Sequence, residues 1–329
     1  MKDVLLPGSQ RATSRFGYGT SGLHGGWSKR SSLALLEAAF DSGIRHFDTA
    51  PMYGLGAAEE VVGEFIARHR AQVTITTKFG LSSPRANILF RAARVVLRPI
   101  VSHLPRAKSQ LVRAASALSR ADVVPASARY SVPAMQASLE QSLRKLRCDG
   151  IDIFLLHEAD AFDVTDDLRT ALDNLVRKGW IGAWGLGSAR SKIDRAVGAA
   201  QIQVPVVQFE WSVISNRLPV YPHSFTITHG VLKDCISWLK VRLASPRCRQ
   251  VWSDKLNCDL ADPAARAKLL LGSAAVANSE GIVLFTSKVP MHIRNVASVS
   301  EADEQNGKKF LLMLETVVGG KPLEGFEEP

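Results

Sequence analysis

The chain has 329 residues, 46% hydrophobic and 22% charged, which is ordinary for a folded globular protein and enough to bury a sizeable core. No stretch approaches the roughly 20 uninterrupted apolar residues of a membrane span, and the apolar run near the N-terminus is too short for a signal peptide. The net charge is +10, yet between Gly80 and Val132 nine Lys or Arg face one acid, Asp122, so +8 of the excess belongs to one segment and not to the whole fold.

In chain order, RFGYGTSG (15–22) is a weak strand candidate and is followed by helical patterning over 31–43. A buried-looking strand at 44–50, IRHFDTA, precedes an amphipathic stretch at 57–70, and VTITTK (73–78) gives the next strand. Beyond the basic segment come a helix over 132–147, the strand IDIFLLH (151–157) and a helix over 166–179. The strand IGAWGLG (181–187), a helix over 189–201 and the strand VPVVQFEW (204–211) follow. Residues 212–265 are irregular and contain a weaker strand at 224–230; the last strand is IVLFTS, 282–287.

Eight strand candidates alternating with helices predict an α/β chain, a closed (β/α)8 TIM barrel in one domain spanning 1–329. The continuously apolar strands fit a parallel sheet covered by helices, and a doubly wound open sheet is the competing architecture. The basic helical insertion, 80–132, follows the third strand, and the seventh unit is irregular. Pro99 and Pro105 interrupt any single helix in the insertion. A solvated two-helix cap over the barrel mouth is expected there, with an anion-attracting lid or a face for an acidic membrane surface as the sharper alternative. The four cysteines, Cys148, Cys235, Cys248 and Cys258, are scattered without a CxxC pair, so free thiols in a reducing cytoplasm and no metal site are expected.

On a barrel, strand C-termini face the active site, which brings Asp48, Tyr53, Lys78 and His157 together from three adjacent strands. Buried Lys and Asp are rare unless paired, so four titratable side chains at successive strand ends point to chemistry. The words FDTAPMYG, TTKFG and LLHE, in this order and spacing, resemble the catalytic segments of the aldo-keto reductase family. The resemblance runs from about Phe16 to Trp211, with a partial match from Gly281 to Val299. It implies an Asp48–Tyr53–Lys78–His157 tetrad over the nicotinamide of NADPH, and an oxidoreductase that reduces an aldehyde or ketone or oxidises an alcohol. Tyr53 is then the general acid, Lys78 lowers its pKa, Asp48 holds Lys78, and His157 orients the carbonyl oxygen.

The string GYGTSG (17–22) is a literal dinucleotide fingerprint in the wrong context, because no helix opens directly after it. The resemblance instead places NADPH or NADP+ across the barrel mouth. Thr20 and Asp48 reach its ribose, Ser188 and Gln208 its carboxamide, and Ser287, Lys288 and Arg294 its 2′-phosphate, where a helix start favours an anion. Asn295 stands one residue earlier than the family's usual Asn, and the seventh strand offers His229 where the family has a stacking aromatic. Trp27 and Tyr130 are candidate pocket-lining residues from their loop positions. The expected partner is a small carbonyl or alcohol; nucleic acid is not expected, because the basic insertion lacks interleaved aromatics. An NADPH-binding redox sensor or accessory protein with slow turnover is the alternative function.

Overall fold

The computed structural model describes residues 2–9, 11–23, 28–81, 126–215 and 218–318. Most of the basic insertion, and Trp27 with it, lies outside these residues. A short antiparallel hairpin, β1 (Asp3–Leu5) and β2 (Ala12–Ser14), precedes the barrel. The barrel strands are β3 (Phe16–Gly19), β4 (His46–Asp48), β5 (Thr74–Phe79), β6 (Ile151–His157), β7 (Ile181–Gly187), β8 (Val206–Glu210), β9 (Phe225–His229) and β10 (Ile282–Phe285). All neighbours pair in parallel, and β10 pairs with β3 to close the ring, which excludes the open sheet.

Alternation along each strand divides the side chains into two cores. Outward residues such as Phe47, Phe79, Phe154 and Phe209 pack under the helices. Inward residues Ile153, Leu155, Ala183, Val206, Ile227, Ile282 and Leu284 fill the interior, which Val4 and Leu6 of the N-terminal hairpin segment seal from below. The two glycines of GYGTSG that lie in β3 face this crowded interior. A Cβ on Gly17 would stand 2.6 Å from Leu284 Cδ2, and one on Gly19 2.8 Å from Thr286 Oγ1. Barrel packing alone is enough to require them.

The irregular region resolves into three helices, Cys235–Arg242, Pro246–Leu256 and Pro263–Ala277. The last two start from Ser-Pro and Asp-Pro. Ser245 caps the Cys248 amide, Asp262 caps the Ala264 and Ala265 amides, and proline occupies the first turn without losing a needed donor. Helix Glu301–Val318 lies backbone to backbone on Pro263–Ala277, since a Cβ on Gly272 would stand 2.3 Å from the Asp303 carbonyl oxygen. The helix expected over 189–201 is α-helical only over Arg190–Ile193 and widens into a π turn over Asp194–Ala199, which contains the poor helix former Gly198. Among the described residues no helix is long and apolar enough to cross a membrane.

Candidate active site

Asp48 ends β4 and Lys78 lies one residue from the end of β5, both pointing into the barrel mouth. The Lys78 ammonium donates to Asp48 Oδ1 at 2.7 Å and Oδ2 at 2.6 Å, and to the Thr49 carbonyl at 3.2 Å. Gln208 Nε2, from β8, donates to Asp48 Oδ2 at 2.8 Å. Asp48 and Lys78 are 3% and 2% exposed, so each charge depends on the other. Burial opposes the Lys78 charge, but the adjoining Asp48 carboxylate and Tyr53 phenol outweigh it and raise its pKa.

Tyr53 is presented by a single 3-10 turn, Tyr53–Gly56, in which Gly54 (φ 59°), Leu55 (φ 59°) and Gly56 (φ 86°) are all left-handed. Two glycines make this turn accessible, while Leu55 is held where branched and bulky side chains are strained. The Lys78 ammonium is 5.2 Å from the Tyr53 ring centroid. The His157 ring meets the Tyr53 ring edge-on, at 5.9 Å between centroids and 88° between planes. Burial raises the Tyr53 pKa above its ordinary value, with the Lys78 ammonium acting in the opposite direction.

His157 ends β6. Burial, and then the nearby Lys78 charge, push its pKa down to about 3, so its imidazole is neutral at physiological pH. Its buried Nδ1 has no hydrogen-bond partner among the described residues. The next residue, Glu158, takes a left-handed conformation (φ 63°), with its amide donating to the Gly187 carbonyl at 2.8 Å. Lys192 Nζ holds the Glu158 carbonyl at 2.6 Å. A cavity of about 500 Å³ opens over this layer and takes at least one lining residue from, or directly beside, each of the eight barrel strands. Asp48, Tyr53, Lys78, His157, Gln208 and His229 all face it.

A family model described as "Aldo/keto reductase family" matches residues 15–222. The chain belongs to that family. It is similar to a D-threo-aldose 1-dehydrogenase of a Pseudomonas species, 28% identical over 62% of this chain and 59% of the relative. The aldo-keto reductase YhdN of Bacillus subtilis is 30% identical over 63% of this chain and 54% of its own length. The match thus spans somewhat more than half the length of these curated relatives. The fold is that of the glycerol dehydrogenase from Gluconobacter oxydans, with a TM-score of 0.65 over 99% of both chains at 17% identity.

Within this reductase fold, Ser188 and Gln208 face the cavity. Thr20 is fully buried beside Asp48, its amide donating to the Asp48 carbonyl at 2.9 Å while its Oγ1 has no partner among the described residues. Ser287 and Lys288 lie in the segment before helix Pro290–Ala297, and the Lys288 stem passes 3.4 Å from where a Cβ on Gly22 would stand. Arg294 is exposed on that helix. Asn295 lies instead in a separate polar cleft with Cys258 and Asp303.

Two positions need correcting or fixing. Tyr130 is not among the residues that face the cavity. Its phenol donates to the His157 carbonyl at 2.5 Å, and its ring fills the space a side chain on Gly80 (φ 103°) would need, 2.2 Å from an ideal Cβ there. It supports the site from behind. The register of β9 is settled by its pairing with β8, Glu210 opposite His229, which places His229 in the cavity with its pKa lowered by burial. Glu158 carried no sequence signal beyond following His157, because left-handed backbone in a glutamate is not written in local composition.

Proposed function

We propose that the chain is an NADPH-dependent oxidoreductase that reduces an aldehyde or ketone to the alcohol, or runs the reverse reaction, with Tyr53 as general acid. The observation that carries this reading is the convergence of a buried Asp48–Lys78 pair, the Tyr53 phenol and a neutral His157 on one cavity. A phenol whose pKa is raised by burial stays protonated at neutral pH and can give its proton to a developing alkoxide. The Lys78 ammonium then stabilises the phenolate that is left, and Asp48 keeps that ammonium charged and in place. Neutral His157 donates one N–H to the substrate oxygen, which aims the carbonyl and spreads its incipient charge.

The residues present fit a nicotinamide dinucleotide. Thr20 Oγ1 and His157 Nδ1 are buried polar atoms without a partner among the described residues, and such atoms in native proteins call for an explanation. Gly187 at the cavity wall leaves open space where a side chain would crowd Gln208. Thr20, Asp48, Ser188 and Gln208 would hold the ribose and carboxamide, and Ser287, Lys288 and Arg294 the 2′-phosphate. When bound, NADPH supplies the hydride to the carbonyl carbon. We further propose that 1–329 is one barrel domain with 80–132 inserted.

Loss of NADPH absorbance against a panel of aldehydes, ketones and sugars tests the reading. Activity that survives unchanged in Tyr53→Phe would remove Tyr53 as the acid. NADPH binding without turnover of any carbonyl would favour the sensor alternative.

A further inference from the structure

Behind the catalytic layer, on the outer face of β5, lies a buried carboxylate that the chemistry above does not use. Glu59, in the first turn of helix Ala58–His69, is 1% exposed. Its Oε1 accepts hydrogen bonds from Thr77 Oγ1 at 2.9 Å and Ser142 Oγ at 2.7 Å. Lys145 Nζ lies 3.5 Å from Oε2, and the same ammonium donates to the Gly56 carbonyl at 3.4 Å.

These partners belong to three different parts of the site. Thr77 immediately precedes Lys78 and points outward where Lys78 points inward. Gly56 closes the turn that Tyr53 opens. Ser142 and Lys145 sit on helix Val132–Leu146, which touches the Glu59 helix backbone to backbone: a Cβ on Gly63 would stand 2.1 Å from the Lys145 carbonyl oxygen. Lys145 therefore has a fixed base from which to reach both Glu59 and Gly56.

As a source of stability the arrangement is poor. A fully buried carboxylate met by two neutral hydroxyls and one long ion pair recovers little of its lost hydration, and apolar packing would serve as well. As a source of geometry it answers a need. The turn from Tyr53 to Gly56 runs through three left-handed residues, and the helix after it has Ala57 at its N-cap with no side-chain cap bond. We infer that Glu59 is a positioning residue: with Thr77, Ser142 and Lys145 it clamps the turn carrying Tyr53 to the strand carrying Lys78, and so sets the spacing of phenol and ammonium. The inference rests on reading Tyr53 and Lys78 as a working pair.

The test is a coupling measured in the full chain without substrate. With tyrosine isotope-labelled at Cζ, NMR follows the Tyr53 titration, assigned by its loss in Tyr53→Phe. In the native background Lys78→Met raises the Tyr53 pKa, by about one unit or more, because the ammonium favours the phenolate. In Glu59→Ala the same Lys78→Met change moves Tyr53 by less than half as much, whereas Glu59→Gln, which keeps the acceptor for Thr77 and Ser142, retains most of the coupling. Lys145→Met removes a partly exposed ammonium, weakens the coupling in the same direction, and decides the question should Glu59→Ala fail to fold. Undiminished coupling in these variants, with only a lower melting temperature, overturns the clamp. No effect of Lys78→Met on Tyr53 in the native background overturns both the pair and the clamp. Coupling that depends on Glu59 in a protein that reduces no carbonyl upholds the clamp and sinks only the proposed reaction.

Discussion

His46 and His157 are buried in the same barrel, point inward from strands one removed from each other, and are both held neutral, mainly by burial, with pKa values of about 4 and about 3. They differ in what their nitrogens meet. His46 Nδ1 lies 2.9 Å from Thr74 Oγ1 and its Nε2 3.1 Å from Thr76 Oγ1, and Thr74 continues to Thr13 at 2.6 Å. Nearby, Asp152 takes Arg11 Nη1 at 2.5 Å, the Ile75 amide at 2.8 Å and Arg70 at 3.1 Å. Near the floor of the barrel these side chains form a connected polar network above Val4 and Leu6. At the mouth, His157 Nδ1 and Thr20 Oγ1 have no partner among the described residues. Polarity and perturbed pKa values are common to both ends, and unpartnered buried atoms occur elsewhere too, at Arg15 Nε and Ser32 Oγ, so none of these alone identifies the site; the open cavity that His157 faces does.

That contrast can be broken by experiment. The largest effect is expected from Tyr53→Phe, which should cut turnover by about 10²–10⁴-fold while leaving the melting temperature near that of the native protein. His157→Gln should lower turnover by about 10²-fold with little change in stability, since its Nδ1 gives up no bond within the protein. His46→Leu should do the opposite, costing about 2–3 kcal/mol in denaturant unfolding while the folded fraction keeps its turnover. A His46→Leu protein of native stability would mean the floor network contributes nothing.

The smallest effect is the acid limb of stability. Both histidines have folded-state pKa values below the ordinary unfolded value of about 6.5, so the unfolded chain takes up their protons first as pH falls. Their contribution is present above about pH 6.5 and is lost progressively toward pH 4 and below. Denaturant titrations at pH 7, 6.5 and 6 should show its onset, about 1–2 kcal/mol over that span for the two histidines together, and a shallower decline in His46→Leu.

Much of this was legible in the sequence where a residue's environment follows from its neighbours along the chain. The apolar strands, and Asp48, Lys78 and His157 at their ends, follow from alternation and barrel geometry alone. Helix Pro263–Ala277 was not legible as an amphipathic stripe because Leu269 to Ala275 are buried on every side, against strands and a second helix at once. The β1–β2 hairpin was missed because strands of three residues carry too little pattern. Tyr130 was misplaced for a different reason: its loop position near the mouth says nothing of which way its ring turns, and Gly80, distant in sequence, decides that.

The contact between Tyr130 and Gly80 has a bearing on the basic segment. The chain leaves the barrel after Lys78 and is back against the same glycine at Tyr130, so the ends of the intervening stretch are held together by the barrel itself. Both anchors sit on the described barrel, Gly80 just after Lys78 and Tyr130 on the His157 carbonyl, so the spacing of Lys78 and His157 is fixed by the barrel and not by what is spliced between them.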